Sequence, residues 1–181
     1  MKVLAWVMGF LLYGVCASAQ IYDMEKGKAA FHSEAPQELI SAESVELKGI
    51  VDAGKKSFAF RVNISSFMGF NSPLQREHFN ENYMESNIFP DASFAGKIIE
   101  DIDFSKEGSY TVRAKGKLTI HGVPVERIVR ADVLVKGGRL ILSSRFIVSL
   151  ADHNIKIPRV VSEKLSPDIE VTVNATLKQR P

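Results

Sequence analysis

Alternation with a period of two runs through most of this 181-residue chain and constrains it more than any other feature. In residues 109–120, Tyr110, Val112, Ala114, Leu118 and Ile120 fall on one face, and Thr111, Arg113, Lys115, Lys117 and Thr119 on the other. Successive side chains of a strand point to opposite sides, so such a segment has one face for a core and one for water. This is the pattern of a half-buried antiparallel strand. Residues 123–135 repeat it, with Val123, Val125, Val129, Ala131, Val133 and Val135 in phase. Further sets are Phe58, Phe60, Val62 and Ile64, then Val171, Val173, Ala175 and Leu177. Val45, Leu47 and Val51 mark an earlier strand, Phe94 and Ile98 a short one, and residues 140–150 one whose alternation is blurred.

The breaks between these runs are turn-like. Gly137-Gly138 separates two apolar runs, and a two-residue loop there requires positive φ at both positions, which glycine accepts freely. His121-Gly122 and Asp52-Ala53-Gly54 are further turns. One segment departs from the pattern. Ser72 as N-cap, Pro73 in the first helical position and Gln75 closing a capping box predict a helix near residues 73–85, with Phe79 and Tyr83 on one face. A second helical turn is expected near residues 159–164. About eight antiparallel strands with one main helix predict an all-β fold, a closed lipocalin-like barrel. Alternation alone fits barrels in water and in membranes. The lack of repeated aromatic girdles and the charged helix favour a barrel in water that does not span a membrane.

Residues 1–19 read differently. Lys2 precedes an uncharged apolar run over residues 3–15, and Ala17 and Ala19 form a small-residue cleavage site. This predicts a secretory signal peptide, cleaved near Ala19-Gln20, followed by one domain over residues 20–181 and a periplasmic or secreted location. The sole Cys, Cys16, lies in that leader, so the remaining chain has no thiol. Without Lys2, 22 of the 23 basic residues remain against 21 acidic ones, a balance that argues against nucleic-acid binding.

Chemistry-bearing motifs are missing. The four His form no H-x-H or H-E-x-x-H pair, and there is no G-x-S-x-G elbow or glycine-rich phosphate loop. The expectation is therefore a binding protein, with no catalytic residues, metal or cofactor. Ten Phe remain outside the leader, and seven of them crowd residues 58–94. They can form a filled core, or the wall of an apolar cavity, since eight strands enclose just enough space for one ligand.

Two stretches carry a family resemblance. NSPLQREHFNENYMESNIFPDASFAGKI at residues 71–98 and YTVRAKGKLTIHG at residues 110–122 resemble the hallmark segments of YceI-like, polyisoprenoid-binding proteins. Arg76-Glu77-His78 stands near the family's Arg-Asp-x-His-Leu run, at a different spacing, and Tyr83-Met84-Glu85 where many members have Phe-Phe-Asp. The resemblance implies an exported lipocalin-like barrel that holds a long isoprenoid-type lipid, a quinone or polyprenyl chain, and it leaves a homodimer open. Candidate cavity residues are Phe60, Phe67, Phe79, Phe94, Tyr110, Leu118, Ile120 and Phe146, with Arg76 and His78 as candidate head-group contacts. The alternative is a barrel filled by its own side chains, a structural or stress-associated interaction protein with no lipid ligand.

Overall fold

The computed structural model describes residues 20–181. The expected signal peptide, with Cys16 and Trp6, lies outside the described residues. Nine strands follow in order: β1 (Ile21–Glu34), β2 (Leu39–Ser44), β3 (Lys48–Asp52), β4 (Ser57–Asn63), β5 (Asp91–Ile98), β6 (Gly108–Ile120), β7 (Val123–Lys136), β8 (Arg139–Ser149) and β9 (Asp168–Gln179). Each pairs antiparallel with its neighbours, and β1 also pairs with β9, which closes the sheet into a barrel. β2 and β3 lie end to end along the same edge of β1, against residues 29–34 and 21–23 respectively. They fill one position between them, so the nine strands make an eight-position barrel.

The expected early strand through Val45 and Leu47 is in fact the break between β2 and β3. Ser44 is buried, and its hydroxyl lies 2.6 Å from Ser66 Oγ while accepting from the Glu46 amide. That local bonding turns Val45 outward, where it is 75% exposed, and returns Leu47 to the core. Across the break, Glu43 and Met68 exchange backbone hydrogen bonds of 2.8 and 2.9 Å, so the chain beyond β4 continues the sheet beside β2.

Gly137 and Gly138 have φ of 56° and 67° and join β7 to β8, the geometry of a tight hairpin. The β6–β7 hairpin turns at His121 (φ 51°) and Gly122 (φ 70°). A Cβ on Gly122 would stand 2.5 Å from the Phe89 ring, so this turn also needs glycine for space.

The two ends of the barrel differ. At the end holding the β7–β8 turn, residues 99–107 fold under the strands and place Phe104 in the core. Tyr22, also buried, donates its hydroxyl to the Phe104 carbonyl at 3.1 Å and holds this plug. Burial, and then the charge of Asp103, raise the Tyr22 phenol above its ordinary value, so it stays a donor. At the other end, residues 72–89 form a lid. Ser72 Oγ accepts from the Gln75 amide and Gln75 Oε1 accepts from the Asn71 amide, a capping arrangement displaced by one residue from the expected box. The predicted helix over 73–85 is shorter: α1 (Pro73–His78) passes into a π-turn, Phe79–Tyr83, where the Met84 amide reaches the Phe79 carbonyl. The second expected helical turn is the 3-10 turn Arg159–Val161.

Outward positions of β6 and β7 carry Arg113, Lys115, Lys117, Glu126 and Arg130, all exposed. A lipid-facing band would be apolar there. Among the described residues no helix is long and apolar enough to cross a membrane.

Candidate functional site: an apolar cavity along the barrel

The inward positions do not fill the barrel. A cavity of about 560 Å³ runs from Phe104 at the plugged end to the lid, with a wall that is almost wholly apolar. Its upper part is a cluster of four rings. Phe31 on β1 stacks on Phe79 at 5.3 Å and 17°, and Phe67 and Phe70 pack beside them at centroid distances of 5.0 to 6.0 Å. Lower down, Phe58 packs on Phe94 at 4.9 Å and on Phe60 at 6.0 Å. Offset and tilted pairs at these distances are favourable aromatic contacts, so the rings hold one another in place as a wall.

Of the residues singled out from sequence, Phe60, Phe67, Phe79, Phe94, Leu118, Ile120 and Phe146 line this cavity, and so does His78. Two do not. Tyr110 sits at the plugged end, where its hydroxyl donates to the Lys106 carbonyl at 3.1 Å, because the 99–107 link takes the space beside it. Arg76 donates from Nε to the Phe67 carbonyl (3.2 Å) and from its terminal nitrogen to the Ser65 carbonyl (2.8 Å). It therefore fastens the lid to the 3-10 turn Ile64–Ser66. The wall also includes Phe31, Phe70, Phe104 and Met84, which the sequence reading did not select.

The mouth opens between the β1–β2 turn, α1 and residues 158–165, to which Glu38, Gln75, Val161, Lys164 and Leu165 contribute. Glu38 Oε1 accepts from Gln75 Nε2 at 2.9 Å, tying the β1–β2 turn to the lid. Gln37 donates to Glu163, by side chain and backbone, and ties the same turn to residues 158–165.

Behind the lid lies a second polar anchor. His121 Nε2 is 2.6 Å from Glu85 Oε2, and its Nδ1 is 3.2 Å from the His153 carbonyl. A neutral ring donates to one of these acceptors and a protonated ring to both. His153 is fully buried, with Nδ1 3.0 Å from the Val123 carbonyl and Nε2 without a partner. Desolvation pushes its imidazole below the ordinary value, which fits a neutral ring that donates through Nδ1. Among the described residues no three His, Cys, Asp or Glu side chains gather as a metal site would require.

A closed antiparallel barrel, plugged at one end, lidded at the other and hollow between, is a lipocalin-like β-barrel with an internal apolar cavity. Within that class the chain belongs to the YceI-like family, whose domain model matches residues 27–177. The fold is similar to that of a polyisoprenoid binding domain from Saccharophagus degradans implicated in plant cell wall breakdown. That likeness has a TM-score of 0.74 at 13% identity and covers 88% of this chain and 98% of that one. BcnA of Burkholderia cenocepacia is similar at a TM-score of 0.68 and 13% identity, over 83% and 95% of the two chains. The YceI protein of Campylobacter jejuni gives 0.53 at 16% identity, over 100% and 99%. No curated protein matches by sequence.

Proposed function

We propose that this protein is an exported carrier or scavenger that takes the chain of an isoprenoid-type amphiphile into its barrel. The observation that carries this reading is the 560 Å³ apolar cavity, within the range of about 300–1,000 Å³ typical of small-ligand sites. The family, and the polyisoprenoid binding domain of S. degradans with the same fold, support it. Each buried methylene is worth about 0.8 kcal/mol, so burying roughly twenty carbons gives a gross gain of about 16 kcal/mol. Association costs roughly 4–15 kcal/mol, so a tail of that size carries useful affinity without polar chemistry. The wall that would meet the tail consists mostly of rings and aliphatic side chains, with Glu38, His78 and Lys164 among its few charged or titratable members. Binding is desolvation of the tail, and the head group stays at the mouth near His78 and Lys164.

Organic extraction of the purified protein followed by mass spectrometry is expected to release a lipid with an isoprenoid tail. An empty extract, together with no uptake of added quinones or polyprenyl phosphates, leaves the self-filled barrel as the better account. Amino-terminal sequencing of the protein from an extracytoplasmic fraction is expected to begin at Gln20, and an intact leader would refute export by cleavage.

A further inference from the structure

The segment forming one lip of the mouth has two sides. Pro158 precedes the 3-10 turn Arg159–Val161, and the amides of Lys164 and Leu165 both donate to the Val161 carbonyl at 2.9 and 3.1 Å. This tight turn directs Val161 and Leu165 into the cavity. Val160 at its tip points to solvent and is 88% exposed, the most exposed of the molecule's large apolar residues among those described. Leu39 and Leu74, 55% and 56% exposed, stand on the other two borders of the mouth. Isolated apolar residues on a surface are ordinary, but here three come from separate segments and surround one opening.

The same lip is basic. Lys156, Arg159 and Lys164 make no ion pair among the described residues. Its one carboxylate, Glu163, accepts from Gln37. The exposed carboxylates of Glu34, Glu77 and Glu81 belong to β1 and to the lid, Glu38 on the opposite border accepts from Gln75, and Asp168 opens β9 beyond the lip. An exposed aliphatic tip flanked by cations brings together the two contributions on which interfacial binding depends, apolar area and attraction to anionic lipid.

We propose that the mouth docks on an anionic lipid bilayer, with Val160 and Leu39 entering the interface and Lys156 and Arg159 on lipid phosphates. The cavity then opens onto the layer from which a greasy chain must come. This rests on the lipid-carrier reading and adds to it the surface at which exchange takes place.

Flotation with vesicles of phosphatidylcholine, alone or mixed with phosphatidylglycerol, tests the docking. The native protein is expected to float with the mixed vesicles and to detach at high salt. Each basic residue near an anionic surface contributes about fivefold to partitioning. Lys156→Gln/Arg159→Gln should therefore lower binding to mixed vesicles at least tenfold. Leu39→Ser/Val160→Ser should lower it similarly. None of these four residues lines the cavity, so uptake of a polyprenyl quinone from detergent micelles should stay at the native level in both variants, while uptake from vesicles falls. Native protein that does not float, or variants that float as well as native, would overturn the proposal. Native protein that floats but takes up no quinone from micelles would leave the docking standing and sink the carrier reading instead.

Discussion

His153 shows how one residue can set a pH window. It is fully buried, donates to the Val123 carbonyl and leaves Nε2 unpartnered, and desolvation lowers its pKa below the ordinary imidazole value of about 6.5. Above pH 6.5 the ring is neutral in both folded and unfolded chains, and stability is full. As pH falls from there through the depressed folded value, the unfolded chain takes the proton first and stability is lost, by up to about 1.4 kcal/mol per pH unit. The carboxylates with lowered values, Asp23, Glu25, Asp52, Glu100 and Asp103, start from 3.8 to 4.5 and act only in more acid solution. Urea midpoints between pH 7.5 and 5 should therefore fall in the native protein more steeply than in His153→Leu, which loses the hydrogen bond at every pH but has no proton to gain. Parallel pH profiles for the two proteins would contradict this assignment.

Among the elements, the lid depends on a residue that reads from sequence as a ligand contact. Arg76 gives two hydrogen bonds to the carbonyls of Ser65 and Phe67, and the π-turn that follows brings Phe79, Tyr83 and Met84 over the cavity. Bonds from a charged donor are worth about 1.5–3 kcal/mol each. Arg76→Ala is expected to lower unfolding stability by about 2–4 kcal/mol and to speed exchange of bound lipid. It should leave the preference between phosphorylated and neutral head groups unchanged, as competition between a polyprenyl phosphate and a quinone would show. A shift in that preference would return Arg76 to the head-group site.

The strands differ in how plainly their sequences announce them. β6 and β7 read directly because their inward sets are mostly apolar and polar or charged residues dominate the outward ones, although Arg127 interrupts the inward set of β7 and Ile128 and Leu134 face outward. β8 blurs because Ile141 and Ile147 face outward while Ser144 faces inward, where its hydroxyl donates to the Arg130 carbonyl at 2.6 Å. β1 was hidden by a bulge. Pairing with β9 shifts between Met24 and Lys26, so Tyr22 and Met24 face inward before it, and Ala29, Phe31 and Ser33 after it. A phase change of one residue defeats a period-two reading, and Phe31 at the centre of the upper ring cluster was missed for that reason. The plug was illegible for another reason: the polar link 99–107 contains one buried Phe whose partner, Tyr22, lies 82 residues away.

For the molecule as a whole, the choice is between a hollow barrel and a filled one, and large-for-small substitutions in the wall decide it. Ala114 on β6 and Ala131 on β7 line the cavity with their methyl groups. In a close-packed core an added aromatic ring strains its neighbours and typically costs about 1–3 kcal/mol. In a hollow barrel the ring enters space that a ligand would occupy, and the protein without ligand is hardly disturbed. Ala114→Phe and Ala131→Phe are each expected to keep unfolding stability within about 1 kcal/mol of the delipidated native protein. Retained lipid should fall at least tenfold, measured by extraction from equal amounts of protein. The converse substitution, Phe146→Ala, enlarges a wall rather than emptying a packed site, so its cost should fall below the roughly 3–5 kcal/mol of a core Phe→Ala change. If the Phe variants unfold readily and Phe146→Ala costs the full core penalty, the barrel is filled by its own side chains and the carrier reading fails with it.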